Sequence, residues 1–500
     1  MTKRVLIANR GEIVLRVART SSRLGLEPCG IFSEADKESL HIKYCKEAVN
    51  IGGLLPSESY LRMDKIIEAA KKMGCELIHP GYGFLAENLE FSLLCKNEGF
   101  IFVGPSPHSM NLSGDKAKAR EVASRVAPIL DGKEVSNESE ALDLAKRIGY
   151  PIILKAVKGG GGRGLRVVES ANDLSKAFRS SKSEAMLSFS SDRVYIEKYL
   201  VNPRHIEVQI LGDHDSKVIQ LGERDCSIQR RHQKLIEETP SPALTNDIRA
   251  EMIEKAISVT KEMSYDNAGT VEFLFKDGNF YFMEINARIQ VEHPITEEVT
   301  GIDIVEQQLG IAMSLGLKLN QEEVRFRGHA IECRINAEHP MTFAPYPGRV
   351  TKFIPPKEDY GVRIDTALYS GYSIPPFYDS LIAKLICHDE NRSKAIDKMR
   401  KSLLSFRISG IPSTIPFHLS ALNDQQFLHG NYDTDFVNRL RPFASEDGEI
   451  AAALFSVMPK RIQILKTGGE EYKDPWLMGK YNDMQLHESH NGYLSSSWTR

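Results

Sequence analysis

The sequence predicts a mixed α/β and α+β protein led by an open parallel sheet, and three observations carry that expectation. Its 500 residues, 41% hydrophobic and 26% charged, have an ordinary globular composition, and such a length points to roughly two to four domains. Residues 1–112 alternate short apolar runs with helical stretches, the rhythm of a parallel sheet covered by helices. Farther along, Met283–Pro294 alternates apolar and polar residues one by one, which is the period of a strand, and the β-rich segment before it makes it half of a hairpin.

In the first region the apolar runs are Val5–Ala8, Pro28–Phe32, Glu76–His79 and Phe100–Val103, and the helical stretches are Glu12–Leu24, Met63–Met73 and Asn88–Asn97. Asn9-Arg10-Gly11-Glu12 sits where a dinucleotide fold would place its glycine fingerprint, but a single glycine there makes that signal weak. His79-Pro80-Gly81-Tyr82-Gly83-Phe84 ends another run; such strand ends line the crevice of an open sheet, and a plain tight turn would read the same. A helix from Gly114 to about Val126 follows, with Lys116 at its start.

Lys155 interrupts the apolar strand Pro151–Ala156 just before Lys158-Gly159-Gly160-Gly161-Gly162-Arg163-Gly164. Glycines let backbone N–H groups approach phosphate oxygens, and the flanking cations add charge. The loop lacks the Gly-Lys-Ser/Thr ending of a P-loop, and its place between two strands favours phosphate cover over a linker. Ile196–Leu200 ends a strand and Arg204–Gln209 begins the next, with a short link that could lie along a purine edge. Cys226–Lys234 is a dense cationic cluster, read as an anion site in a chain whose net charge is −3.

The chain is organised around Met283–Pro294, where Glu284, Asn286, Arg288, Gln290 and Glu292 share one face and offer metal ligands, an anion clamp and a base. At roughly 3.3 Å per residue, Glu284 and Glu292 would stand about 26 Å apart on a straight strand, so a bend after Asn286 is expected. Ala268–Phe275 and Phe280–Asn286 form the hairpin around Lys276-Asp277-Gly278-Asn279. A two-residue turn would set Glu272 opposite Met283, so a three-residue loop, Asp277–Asn279, or an equivalent bulge is predicted. In that register Glu272, Glu284 and Asn286 converge as hard oxygen ligands suited to Mg²⁺.

Ile331–Glu338 repeats the alternation and puts Arg334 with Glu332, Asn336 and Glu338; Gly371–Ser380 is a rigid aromatic loop. After about residue 447 the helix-like Glu449–Val457 gives way to a polar tail with Trp476 and Trp498, read as a partner-docking or disordered segment. The near-neutral charge gives no reason to expect nucleic acid or an acidic membrane as partner. Seven cysteines without a CxxC pair argue for a reducing compartment. The start lacks a signal-peptide pattern and no apolar run approaches the ~20 residues of a membrane span. A cytoplasmic protein is expected.

Together these residues resemble one family, the biotin carboxylases of the ATP-grasp superfamily, over roughly residues 1–445. The segments that carry the resemblance are Ala8–Ile13, His79–Asn88, Gly114-Asp115-Lys116, Lys155 with the glycine loop, Glu197–Gln209, Glu223–Lys234, Glu284–Pro294, Glu332–Glu338 and Tyr378-Asp379-Ser380. It implies an N-terminal open sheet at 1–112, an ATP-grasp domain at 113–330 with a mobile glycine-loop lid at about 130–200, a C-terminal biotin carboxylase domain at 331–445, and a tail at 446–500. By resemblance, Lys116, Lys155, Gly160, Gly161 and Gly162 hold phosphates. Glu197, Lys198 and Leu200 border adenine, and His205, Gln229 and His232 complete the nucleotide site. Glu272, Glu284 and Asn286 bind Mg²⁺ or Mn²⁺.

The resemblance also implies the chemistry. Bicarbonate is held by Lys234, Arg288, Gln290 and the Val291 N–H, Glu292 is the general base, and Arg334 steadies the enolate-like oxygen of deprotonated biotin. Departures from the family pattern are Lys158, Ser190, His339, Tyr346 and Ser413-Thr414. No Ala-Met-Lys-Met biotinylation motif occurs, so biotin is expected on a separate biotin carboxyl carrier protein. A separate carboxyltransferase subunit is expected too, with a homodimer or higher assembly. The rivals are another ATP-grasp ligase, such as a carbamoyl-phosphate-forming enzyme, and a non-catalytic nucleotide-binding scaffold.

Overall fold

The computed structural model describes residues 3–156, 166–189 and 193–440. Lys158–Gly164 with Gly160, Gly161 and Gly162, Ser190 and the tail lie outside the described residues.

Short apolar strands that alternate with amphipathic helices can bury both faces only in a parallel sheet, and the N-terminal unit does so. Arg4–Ile7 lies at the centre, flanked by Glu27–Phe32 and Leu77–His79, with Glu47–Asn50 and Ile101–Phe102 at the two edges. The Glu47–Asn50 strand was not legible in the sequence, because Glu-Ala-Val-Asn is short and polar, as an edge strand can be. The helix expected from Gly114 to about Val126 runs over Lys116–Ala123, and a separate helix, Pro107–Gly114, ends just before it. Asp115 divides them: its carboxylate accepts from the N–H groups of Ala117 and Lys118 at 3.0 and 3.2 Å, which starts the second helix at Lys116.

A four-stranded antiparallel sheet (Gly132–Val135, Val194–Lys198, Ile152–Ala156, Arg166–Val168) packs on the helices Glu138–Ile148 and Ala171–Phe189. Beyond it, eight strands form one continuous sheet in the order Asn279–Asn286, Asn267–Lys276, Arg204–Gly212, Val218–Arg230, Gln233–Thr239, His329–Asn336, Leu381–Asp389, Val362–Thr366. Val5, Ile13, Val17, Leu211, Ile219 and Leu309 share one core, so the N-terminal unit is packed directly onto this sheet.

The predicted hairpin forms, with its register set differently from the three-residue loop. Asp277 and Gly278 make a two-residue turn with φ of 49° and 80°, closed by Lys276 opposite Asn279. Asp-Gly suits a turn with both central residues at positive φ. The register is restored by the alternative, a bulge: Phe273 faces Phe282 and Glu272 faces Glu284, which leaves Met283 as the extra residue. The expected bend also appears, since the strand ends at Asn286 and Glu292 is the N-cap residue of the helix His293–Thr300.

Candidate functional site

Cross-strand register lays the charged groups in a row. Glu284 lies opposite Glu272, Glu272 opposite Glu207, and Glu207 opposite Arg224. Neighbouring strands are about 4.8 Å apart, so three carboxylates stand side by side; Glu207 and Glu272 are 0% and 3% exposed. Such a line is tolerable only beside cations. Lys234 Nζ lies 2.6 Å from Glu207 and 3.2 Å from Glu272, and Arg224 Nε donates to Glu207 at 2.5 Å.

Glu292 closes the cluster. Fully buried, it receives Lys234 on Oε1 at 2.6 Å and Arg334 on Oε2 at 2.9 Å. Burial opposes its ionisation, but Lys234 and Arg334 outweigh that and hold its pKa well below the usual carboxylate range. Glu272 behaves alike, with burial overcome by Lys234 and His205, whose Nε2 lies 2.9 Å from Glu272 Oε2. Glu237 goes the other way: although it accepts from Arg334 Nε at 2.5 Å, burial pushes it up to about 7. Glu332, directly opposite Glu237, is buried with neither carboxyl oxygen partnered among the described residues, and burial raises its pKa well above the usual range. One face therefore sets carboxyls whose pKa is held down by cations beside carboxyls whose pKa is pushed up by burial.

The candidate nucleotide residues line the side nearest the four-stranded sheet. Lys116 Nζ is 2.7 Å from Glu284, whose charge raises the lysine's pKa. Lys155 and Arg120 both pair with the buried Glu197. Lys198 turns its ammonium to the carbonyls of Gly149 and Tyr150, each at 3.0 Å, and its backbone N–H donates to Asp131 O. Leu200 is half-buried just past that strand. Gln229 faces Lys234 across a hairpin whose two-residue turn is Arg231 and His232, with φ of 49° and 64°. Cys226–Lys234 is thus no single cationic cluster. The turn divides it: Lys234 enters the buried site, whereas Arg230 stacks over Phe343 with its guanidinium carbon 4.6 Å from the ring centroid.

Arg288 donates to Gln290 Oε1 at 2.7 Å and Asn286 Oδ1 at 3.3 Å, and its Nε lies 3.2 Å from Glu87 of the N-terminal unit. Gln290 and Asn286 each donate an amide N–H to Glu272 Oε1, at 3.1 and 2.7 Å. Three oxygens do not converge as expected: Glu272 and Glu284 lie opposite each other as hard donors of the kind a divalent cation takes, but Asn286 turns its N–H to Glu272 and its oxygen to Arg288, and joins them only if its amide turns.

Glu207, Glu237, Glu87 and Lys384 were missed in the sequence. The signal for Glu207 was present, since alternation through Arg204–Gln209 puts His205, Glu207 and Gln209 on one face. Lys384 breaks an apolar strand, Leu381–Asp389, just as Lys155 does. Nothing local marks Glu87 or Glu237, whose roles depend on partners far along the chain. Of the departures, Thr414 has a visible setting: its hydroxyl donates to Arg334 O at 3.1 Å and accepts from Asn336 N at 2.9 Å.

Comparison with known proteins places this arrangement. Three family models match in succession: the biotin carboxylase N-terminal domain over residues 1–110, the ATP-binding domain of the carbamoyl-phosphate synthase L chain over 115–321, and the biotin carboxylase C-terminal domain over 332–439. Biotin carboxylase 1 of Bacillus subtilis is 48% identical over 443 residues, covering 87% of this chain and 98% of that protein. A pyruvate carboxylase component of Methanothermobacter thermautotrophicus is 46% identical over 468 residues, 91% of this chain and 95% of the other. The biotin carboxylase domain dimer of Hydrogenobacter thermophilus 2-oxoglutarate carboxylase, solved with MgADP, ADP and bicarbonate, superposes with a TM-score of 0.85 at 44% identity, covering 88% of this chain and 97% of that one. With matching models running almost end to end through the described residues and near-full-length relatives close to half identical, the chain belongs to the biotin carboxylase family of ATP-grasp ligases.

Proposed function

We propose that this chain uses ATP and bicarbonate to carboxylate biotin carried on a separate protein. The observation that carries the reading is Glu292 held between Lys234 and Arg334, with Glu272 and Glu284 facing each other alongside. Lys116, Lys155 and the loop of Gly160, Gly161 and Gly162 hold phosphates; Glu197, Lys198, Leu200, His205, Gln229 and His232 surround the base and ribose. Glu272, Glu284 and Asn286 hold Mg²⁺ or Mn²⁺, which when bound neutralises charge on the phosphates.

Lys234, Arg288, Gln290 and the Val291 N–H hold bicarbonate. An arriving anion shares Lys234 with Glu292, which relaxes the hold on that carboxylate and raises its affinity for a proton. Glu292 then takes the bicarbonate proton while the bicarbonate oxygen attacks the γ-phosphorus, giving carboxyphosphate and ADP. Carboxyphosphate breaks into CO₂ and phosphate, the phosphate removes the N1 proton of biotin, and N1 attacks CO₂. Arg334, fixed by Glu237, meets the charge that develops on the biotin oxygen.

A dimer, a carrier protein and a separate carboxyltransferase complete this reading, in the cytoplasm, with acetyl-CoA or propionyl-CoA as final acceptor. The match to 95% of the length of the Methanothermobacter pyruvate carboxylase component supports pyruvate as the second reading. ATP cleavage that rises with bicarbonate and again with free biotin is the expected result; cleavage indifferent to bicarbonate overturns the reading. The acceptors are separated by supplying acetyl-CoA, propionyl-CoA or pyruvate to the complex recovered on the tagged chain and counting fixed labelled bicarbonate.

A further inference from the structure

Lys384 has no part in the roles above, yet it is fully buried beneath the site. On the strand Leu381–Asp389 it stands opposite Arg334 on one side and Asp365 on the other. An ammonium out of water is costly unless its donors find acceptors. Lys384 Nζ donates to the Val291 carbonyl at 3.0 Å and lies 3.1 Å from Glu12 Oε1 and 3.6 Å from Asp365 Oδ2. Glu12 Oε1 also accepts the Tyr82 hydroxyl, so one nitrogen joins the N-terminal unit, the central sheet and the turn before Glu292.

We propose that Lys384 is a positioning residue for Glu292, acting through the Val291 carbonyl; this rests on the carboxylation reading. That carbonyl belongs to the peptide linking Val291 to Glu292, so holding its oxygen sets the plane from which the Glu292 side chain departs. Glu292 is the N-cap residue of the helix His293–Thr300, with φ of −81° and ψ of 9°, so a tilt of the peptide before it would swing its side chain away from Lys234 and Arg334. Lys384 balances Glu12, which also accepts the neutral Tyr82 hydroxyl, but Asp365 already receives Arg363 at 2.8 and 3.1 Å, and neither carboxylate accounts for the bond to the Val291 carbonyl.

The test compares the full chain with Lys384→Met/Glu12→Gln, which removes the cation and the carboxylate it neutralises, and with Lys384→Arg. Amide exchange at Val291, Glu292, His293 and Ile295, melting temperature, and the kcat and KM of bicarbonate-dependent ATP cleavage are measured. In the double variant, exchange of those amides should quicken about tenfold while amides of Asn267–Lys276 stay as in the parent. Its kcat should fall about a hundredfold with the KM for ATP changed less than about twofold, the mark of a misplaced group rather than a lost binding site. A double variant that keeps both the parent's exchange and its kcat overturns the proposal. Should it not fold, Lys384→Arg decides, because it keeps the charge but moves the donors: parental exchange and kcat there overturn the idea. If the parent itself shows no bicarbonate dependence, the carboxylation reading fails, and the exchange comparison still decides whether Lys384 holds the turn.

Discussion

At the scale of single residues, the site is a contest between burial and neighbouring charge, and the two outcomes separate the carboxyls by task. Glu292 is kept ionised by two cations; Glu292→Gln should lower bicarbonate-dependent ATP cleavage at least about a hundredfold, with nucleotide affinity unchanged in a direct binding titration. Parallel loss of both would remove it from the role of base. Glu237 is the opposite case. Its pKa rises to about 7 on folding, against about 4.3 for an unperturbed glutamate. Between those values the folded chain binds the extra proton, so Glu237 favours the native state at the acidic end and loses that contribution as pH rises toward 7. Melting temperatures from pH 5 to pH 8 should therefore decline less for Glu237→Gln than for the parent. The groups legible in the sequence at this scale were those set on a visible alternation, such as Glu284, Arg288 and Arg334. Glu237 and Glu87 were not, because what gives them meaning is a partner about 97 and 200 residues away.

Among the elements, the hairpin Asn267–Asn286 shows how a local preference and a functional register are reconciled. Asp277-Gly278 selects a tight turn, which alone would set Met283 against Glu272; the bulge absorbs the extra residue close to the site instead. Deleting Met283 should regularise the ladder and leave Glu272 opposite Glu284. The deletion variant should keep Mg²⁺-dependent nucleotide binding, measured by calorimetry, with a melting temperature lower by only a few degrees. Loss of the metal dependence with folding intact would mean that the bulge itself aims Glu284. Sequence reasoning could demand a register correction here but could not locate it, since a loop and a bulge satisfy the same pairing.

Across the whole molecule, buried ion pairs lie at the border of the N-terminal unit, one inside it and met by tyrosines from the C-terminal part, another crossing to helices of the central part. Asp36, 0% exposed, accepts two bonds from Arg10 at 2.7 Å and hydroxyls from Tyr60 at 2.7 Å and Tyr372 at 3.3 Å, and Arg10 lies over the Tyr378 ring. Arg16 crosses the same seam to Glu297 and Asp303 at 2.6 and 2.7 Å. Breaking such a pair leaves an uncompensated charge, so Asp36→Ala should cost about 3–5 kcal/mol in chemical denaturation. A loss below about 1 kcal/mol would show Arg10 finding water instead. The parallel sheet of this unit was readable from its βαβ rhythm, whereas the seam was not, because its arginines resemble ordinary surface charge in one dimension.

The unbroken run of eight strands has one more consequence. Glu237 and Glu332 face each other across adjoining strands although the hairpin Asn267–Asn286 and the helix His293–Thr300 run between them in the chain. A cut near residue 325 would therefore not release two self-sufficient modules. Each fragment would carry a raw, hydrogen-bond-hungry margin and half of the proton-handling chemistry, so any natural fission or shuffling of this chain should fall elsewhere.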